Sequence, residues 1–164
     1  MSAKGELLIR EKQEMLQVVG LIEQLLPQKT LSQIECIALG ALLQNAYSGF
    51  ERMLRCLLLI KGSKVEKKDG WHQEILQQAA REGFVSETEY QELRELLKFR
   101  HLHMHGYAHL LEETRIRELA SPVPGLVLKH TRSTSTASRS ARRPRAGRTS
   151  GVSCQRITNL IERW

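Results

Sequence analysis

Residues 98–107, KFRHLHMHGY, bring together one arginine, three histidines and one tyrosine. Histidine moves protons near neutral pH and binds transition metals, while the planar fork of arginine binds carboxylates and phosphates. On an ideal helix, Arg100 continues the apolar face formed by Tyr90, Leu93 and Leu97. Because an unpaired buried charge is costly, we expect Arg100 to have an acidic partner on a neighbouring helix.

The partner that we predict is Glu51. It belongs to a polar stripe, Gln44, Ser48, Glu51 and Arg55, whose members follow at helical intervals in an otherwise apolar helix. Two interpretations stay open. The Arg100–Glu51 pair could be buried and only fix how the helices pack, or it could line a functional pocket. A solvated pair of Glu51 and Arg55, one helical turn apart, gives the same pattern.

A metal site is the main alternative for the histidines. His101, His105 and His109 recur every four residues and so share one helical face, where neighbouring imidazoles could bind zinc or nickel. The nearest acidic residues lie beyond this stripe, and no cysteine is near. We therefore predict no metal, and we interpret His101, His103 and His109 singly as surface histidines near a helix end.

Apolar residues recur every three or four positions through most of the first 120 residues, which is the period of amphipathic helices. The pattern predicts a helix from Leu8 to Pro27, a long one ending at Gly62, a short one from Trp71 to Gly83, and one beginning at a Ser86–Glu89 capping box. No alternating strand pattern occurs. We predict an all-α fold, an antiparallel helical bundle of about four to five helices with short connections. His72, at the start of the third helix, is interpreted as structural.

The composition changes after Ala120. Residues 1–120 carry 16 Lys+Arg against 17 Asp+Glu, whereas residues 121–164 carry 9 against 1. The stretch SPVPG predicts a helix break, and the Ser/Thr/Arg-rich sequence after it has little to bury. We predict a helical bundle over 1–120 and a disordered basic tail over 121–164, in which His130 has no role. The tail is either a native RNA-binding segment or the product of a reading-frame change, and its unpatterned sequence favours the second.

The sequence also indicates a cellular compartment. Three scattered cysteines with no C-x-x-C spacing predict reduced thiols in a cytoplasmic protein. No apolar run has the length of a signal peptide core or of a membrane-spanning helix. We therefore predict neither secretion nor membrane insertion.

Arg100, His105 and Tyr107 fit the pattern R-x-x-x-x-H-x-Y, which resembles the signature of HepT-type ribonuclease toxins with the HEPN fold. The segments SGFERMLR, GWHQEILQQA and GFVSETEYQELRELLKFRH, in this order, extend the resemblance over about residues 31–120. It implies a homodimer of helical bundles that cleaves RNA without a metal or cofactor and leaves a cyclic phosphate. His105 would act as acid or base, Arg100 would hold the phosphate, and Glu51 would support them.

The resemblance also implies a partner protein. In HepT-type systems an MNT-type nucleotidyltransferase antitoxin attaches AMP to the motif tyrosine, which is Tyr107 here, and the added phosphate repels RNA. Two other functions stay open: a non-catalytic HEPN module that binds RNA, a nucleotide or a nucleotidyltransferase, and a histidine-rich metal-binding helical protein. The family's domain closes with a further amphipathic helix, which we expect to be missing after residue 120.

Overall fold

The computed structural model describes residues 3–63, 70–104 and 112–140. These ranges contain six helices and no strand. The helices are α1 (Ala3–Leu25), α2 (Gln33–Lys61), α3 (Trp71–Arg81), α4 (Glu87–Met104), α5 (Glu113–Ala120) and α6 (Val123–Ser140). The predicted all-α bundle is confirmed, with six helices in place of four to five.

α2 is the central helix of the bundle. It begins with a capping box, in which the Ser32 N–H donates to Glu35 Oε2 at 2.8 Å and the Glu35 N–H donates to Ser32 Oγ at 3.3 Å. It ends at Gly62, whose φ of 91° lies in the left-handed region that glycine adopts without strain. Its fully buried apolar side chains, Leu39, Leu43, Ala46, Tyr47, Phe50 and Leu58, form the middle of the core.

α1 packs against α2 in the antiparallel direction. Glu11 accepts a hydrogen bond from Arg52 Nε at 2.7 Å, and one turn further along α1 Met15 lies against Gly49. A Cβ atom at residue 49 would lie 2.7 Å from Met15 Cγ, so glycine leaves the room that the Met15 side chain occupies. Gly49 therefore allows α1 to approach α2 closely.

α4 begins at the predicted capping box. The Ser86 N–H donates to Glu89 Oε2 at 2.6 Å, and the Glu89 N–H donates to the Ser86 hydroxyl at 3.4 Å. The helix runs antiparallel to α2, because His103 lies beside Gln44 while Arg100, closer to the start of α4, lies beside Glu51. This pairing brings the second half of α4 against the polar stripe of α2.

α3 departs from the predicted antiparallel arrangement, because it runs in the same direction as α2. His72 near its start lies beside Glu51, and Glu82 just after its end forms an ion pair with Lys61. The connection from Gly62 to Gly70 therefore returns the chain to the middle of α2. An antiparallel α3 would have placed His72 near the C-terminal end of α2, far from Glu51.

α6 corrects the predicted boundary at Ala120. Four buried side chains, Val123, Leu126, Val127 and His130, follow one another at helical spacing. Pro124 is the second residue of α6, where a backbone N–H has no intrahelical acceptor to lose, so SPVPG allows a new helix to start. The predictions of disorder from residue 121 and of a missing last helix are therefore wrong for Val123–Ser140.

The rest of the predicted tail, residues 141–164, lies outside the described residues. The change of reading frame stays a prediction. Across the parts of the chain that the structure describes, no helix combines the length and the apolar character that a membrane crossing requires.

Candidate active site

The polar stripe of α2 forms one wall of a cluster between α2, α3 and α4. Glu51, only 7 % exposed, lies next to His72 from α3 and Arg100 from α4. Two turns earlier on the same face, Gln44 Oε1 lies 2.8 Å from His103 Nδ1. The stripe therefore points into the bundle, towards α3 and α4.

The shortest contact in the cluster joins a histidine to a buried carboxylate. His72 Nδ1 lies 2.6 Å from Glu51 Oε2, which is a distance typical of charge-assisted hydrogen bonds. An ionised carboxylate only accepts hydrogen bonds, so its contact with Nδ1 requires the tautomer of His72 that carries the proton on Nδ1. In that tautomer Nε2 is the ring nitrogen that can accept a proton from another molecule.

Arg100 completes the cluster from α4. Its Nη1 atom lies 3.8 Å from Glu51 Oε2, and 3.3 and 3.4 Å from Nδ1 and Nε2 of His72. The two similar distances place Nη1 against the imidazole ring as a whole. The Arg100 side chain keeps 12 % exposure, and its buried Nε has no hydrogen-bond partner among the described residues.

Tyr47 lies beneath these groups, one turn before Glu51 on α2. It is fully buried, and its ring centroid lies 5.8 Å from Arg100 Cζ, which is within the range of a cation–π contact. Burial raises the pKa of the Tyr47 phenol, and the nearby Glu51 charge raises it further. The hydroxyl therefore stays protonated beside the Glu51 carboxylate.

Aromatic rings and cations line the more exposed side of the cluster. The rings of Trp71 and His72 have their centroids 4.0 Å apart, and Arg55 Cζ lies 5.9 Å from the Trp71 ring. His101 meets His72 edge-on, with ring centroids 6.2 Å apart. Positive charges and aromatic faces side by side are the groups that bind phosphates and unpaired bases of RNA.

The structure brings two of the predicted site residues, Arg100 and Glu51, into contact. The other two, His105 and Tyr107, lie outside the described residues, as does His109 of the metal alternative. Over the residues that the structure describes, no three His, Cys, Asp or Glu side chains group together as a metal site requires.

His72 is the member of the cluster that the sequence analysis interpreted as structural. The sequence held one signal, the position of His72 in GWHQEILQQA, a segment that carries part of the family resemblance. Its neighbours, however, depend on the direction in which α3 runs along α2. Helical periodicity contains no information on that direction, so the contact with Glu51 could not be predicted.

A family model described as HepT-like protein matches residues 38–136. The chain belongs to the HepT-like family. No curated protein and no solved structure matches it. The HepT-like region begins in α2, contains Glu51, His72 and Arg100, and ends within α6. α6 is therefore part of the family's domain, which extends beyond the predicted boundary at residue 120.

Proposed function

We propose that this HepT-like protein is an endoribonuclease toxin that cleaves RNA without a metal ion or cofactor. The observation that carries the proposal is the position of Arg100, a largely buried side chain of α4 that lies 3.8 Å from Glu51 of α2 and 3.3 Å from His72 of α3. An arginine held in this way presents a planar cation in a fixed orientation, which suits a phosphate that must be positioned for reaction. Membership of the HepT-like family supports the same class of activity.

The proposed reaction is a transesterification within the RNA strand. A base takes the proton of a ribose 2′-hydroxyl while its oxygen attacks the adjacent phosphorus. The bond from phosphorus to the 5′-oxygen breaks, and an acid gives that oxygen a proton. The products are a 2′,3′-cyclic phosphate and a 5′-hydroxyl. In this scheme Arg100 offsets the negative charge on the non-bridging oxygens in the transition state, and His105 is one of the two groups that transfer a proton.

We further propose that two copies of the chain form the complete cleft. Five positions along an unbroken helix turn Arg100 and His105 about 140° apart, so one continuous helix cannot direct both side chains at one phosphate. A homodimer in which Arg100 of one protomer faces His105 of the other solves this problem. The alternative within one chain is that the helix ends near Gly106.

The partner that we propose is an MNT-type nucleotidyltransferase antitoxin that modifies Tyr107. AMP attached two residues from His105 adds negative charge beside the cleft and repels RNA. On co-expression with the antitoxin, wild type should be silenced and carry AMP by mass spectrometry, whereas Tyr107→Phe should stay toxic. Equal silencing of both proteins, with no AMP on Tyr107, contradicts this part of the proposal.

The nuclease is tested by growth arrest and by cleavage of RNA with purified protein in the presence of a chelator. Wild type is compared with Arg100→Ala and His105→Ala, and with Arg94→Ala, which removes an exposed arginine from the same helix. We expect wild type and Arg94→Ala to arrest growth and cleave RNA. The other two variants should lose at least about 100-fold in rate while keeping the wild-type circular dichroism spectrum.

A non-catalytic module is the second candidate, and the contact between Arg100 and Glu51 is the observation that favours it, because a buried pair can serve packing alone. In that case wild type leaves RNA intact, and Arg100→Ala lowers thermal stability without changing any RNA phenotype. Activity that disappears in chelator, together with zinc or nickel retained by the purified protein, contradicts the metal-free reaction.

A further inference from the structure

The proposed reaction needs two proton-transfer groups, a base for the 2′-hydroxyl and an acid for the 5′-oxygen, and the sequence motif supplies one histidine. We propose, on the basis of that nuclease function, that His72 is the general base and that Glu51 holds it in the required tautomer. His105 is then the acid. The proposal rests on the contacts of His72 with Glu51 and Arg100.

The first argument is the tautomer of His72. Donation of the Nδ1 proton to Glu51 at 2.6 Å leaves the lone pair of the neutral ring on Nε2. A carboxylate on Nδ1 fixes the orientation of an imidazole and stabilises the imidazolium that forms when Nε2 takes a proton, as in serine hydrolases. Glu51 is 7 % exposed, so solvent screens this interaction little.

The second argument is the position of His72 beside the proposed phosphate ligand. Its Nε2 lies 3.4 Å from Arg100 Nη1, so a phosphate held by Arg100 lies next to this ring nitrogen. The 2′-hydroxyl to be deprotonated is attached to the ribose of that same phosphate. His72 keeps 19 % side-chain exposure, which lets RNA reach a ring that is otherwise fixed by packing.

The charges around His72 favour this role once RNA is bound. The groups that contact His72 are Glu51 from α2 and Arg100 and His101 from α4, with Arg55 beside Trp71 and Tyr47 beside Arg100. In the free protein Arg100 and His72 share the Glu51 carboxylate. A bound phosphate offsets the charge of Arg100, while Glu51 remains beside Nδ1 to stabilise the imidazolium.

The test compares His72→Gln with wild type, because glutamine can still donate a hydrogen bond to Glu51. His130→Gln is the matched control, since it changes a buried histidine beside another buried glutamate, Glu89, remote from the RNA chemistry proposed here. Each protein is assayed over pH with a dinucleotide substrate, and again with the same dinucleotide carrying sulfur in place of the 5′-bridging oxygen. A thiolate leaves without protonation, so this substrate needs a base and no acid.

We expect His72→Gln to lose at least about 100-fold in kcat/KM on both substrates, together with the ascending limb of the pH profile. His105→Gln should lose as much on the oxygen substrate and recover on the sulfur substrate. His130→Gln should behave as wild type. An intact ascending limb in an active, folded His72→Gln protein, or its recovery on the sulfur substrate, overturns the role of His72 and leaves the nuclease standing. Wild type inert on both substrates overturns the nuclease itself.

A measurement on wild type keeps the proposal testable if His72→Gln does not fold. Imidazole ¹⁵N chemical shifts report which ring nitrogen of a neutral histidine carries the proton. We expect His72 in the Nδ1–H form, and Glu51→Gln should reduce kcat without adding a new limb to the pH profile. Neutral His72 in the Nε2–H form has no lone pair on Nε2 and overturns the proposal.

Discussion

Two of the three buried glutamates in the described ranges, Glu51 and Glu89, lie beside a histidine and a cation, but their surroundings differ. Glu51 in the middle of α2 contacts His72 and Arg100, while Glu89 at the start of α4 contacts its own cap and two residues of α6. The two are 7 % and 6 % exposed. Similar residue types and similar burial thus occur in two surroundings.

Glu89 is held by groups whose positions the fold fixes. Glu89 Oε2 accepts a hydrogen bond from the Ser86 N–H at 2.6 Å. Glu89 Oε1 forms an ion pair with Lys129 Nζ at 2.8 Å and lies 3.7 Å from His130 Nε2. Burial on its own raises the pKa of Glu89, but the bonds from Lys129 and from the Ser86 backbone and hydroxyl outweigh burial and lower the pKa to about 2. This carboxylate joins α4 to α6, and we assign it to stability.

Glu51 has no such backbone donor, because the N–H groups in the middle of a helix are already bonded within it. It depends instead on side chains from two other helices, His72 of α3 and Arg100 of α4. A buried acid at a helix start therefore serves as a cap, whereas one in mid-helix can organise a site.

Removing α6 should have the largest effect. A chain ending at Ala120 loses the buried side chains of Val123, Leu126 and Val127, worth about 1.5–3 kcal/mol each, which together rival the whole stability of a small domain. We expect it to show no cooperative thermal transition, whereas a chain ending at Ser140 should unfold as wild type does. Cooperative unfolding of the shorter chain would mean that the Glu51 cluster folds independently of the contacts between Glu89 and α6.

Substitutions of the two cations, Arg100 beside Glu51 and Lys129 beside Glu89, should differ in their effect on activity. Arg100→Lys removes the planar fork, and we expect kcat/KM for RNA cleavage to fall about 10²–10³-fold. Lys129→Arg keeps the charge beside Glu89 and should leave kcat/KM within twofold of wild type. Equal rates for the two variants would argue that Arg100 serves packing alone.

Substitutions of the two glutamates, Glu51 and Glu89, should differ in their effect on the free energy of unfolding. Glu89→Ala removes the cap and the contacts to α6, and we expect urea denaturation to report a loss of about 1–3 kcal/mol with unchanged cleavage. Glu51→Gln should do the reverse, lowering kcat at least about tenfold because the His72 tautomer is held less firmly. A variant of Glu89 that loses activity while it remains folded contradicts the division of roles.

Acidification should lower the free energy of unfolding in two steps, one from His130 and one from Glu89. Burial lowers the pKa of His130 despite the opposing charge of Glu89, so the unfolded chain binds a proton first as the pH falls below about 6.5. The Glu89 carboxyl titrates near 4.5 when unfolded and near 2 when folded, so its contribution is complete above about pH 5 and is lost between about pH 4.5 and 2. Thermal melts over pH should show His130→Gln flattening the upper step and Glu89→Gln the lower one.

Local patterns predicted the elements of the fold well. The apolar periods located α1 to α4, and the Ser86–Glu89 capping box marked the start of α4. The pairing of Arg100 with Glu51 followed from burial, since a charge on an apolar face requires a partner. These features depend on residues near in sequence or on one simple rule of burial.

Two features depended on more than local pattern. The sequence pattern SPVPG predicts a helix break and so misses α6, although Pro124 lies in the first turn, where proline is compatible with a helix. The apolar spacing of Val123, Leu126 and Val127 is nevertheless present in the sequence. The contact of His72 with Glu51 could not be predicted, because it follows from the parallel course of α2 and α3.

The hydrogen bond from Lys12 of α1 to the carbonyl of Thr131 in α6 spans 119 residues, so the core that these helices share closes late in synthesis. A ribosome releases α2, α3 and α4, with the whole Glu51 cluster, before α6. The 27 positions from Met104 to Thr131 take about 1 to 5 s to translate. During that interval α2 covers α1, but the contacts of α1 with α6 are missing, so the nascent chain exposes apolar surface to chaperones.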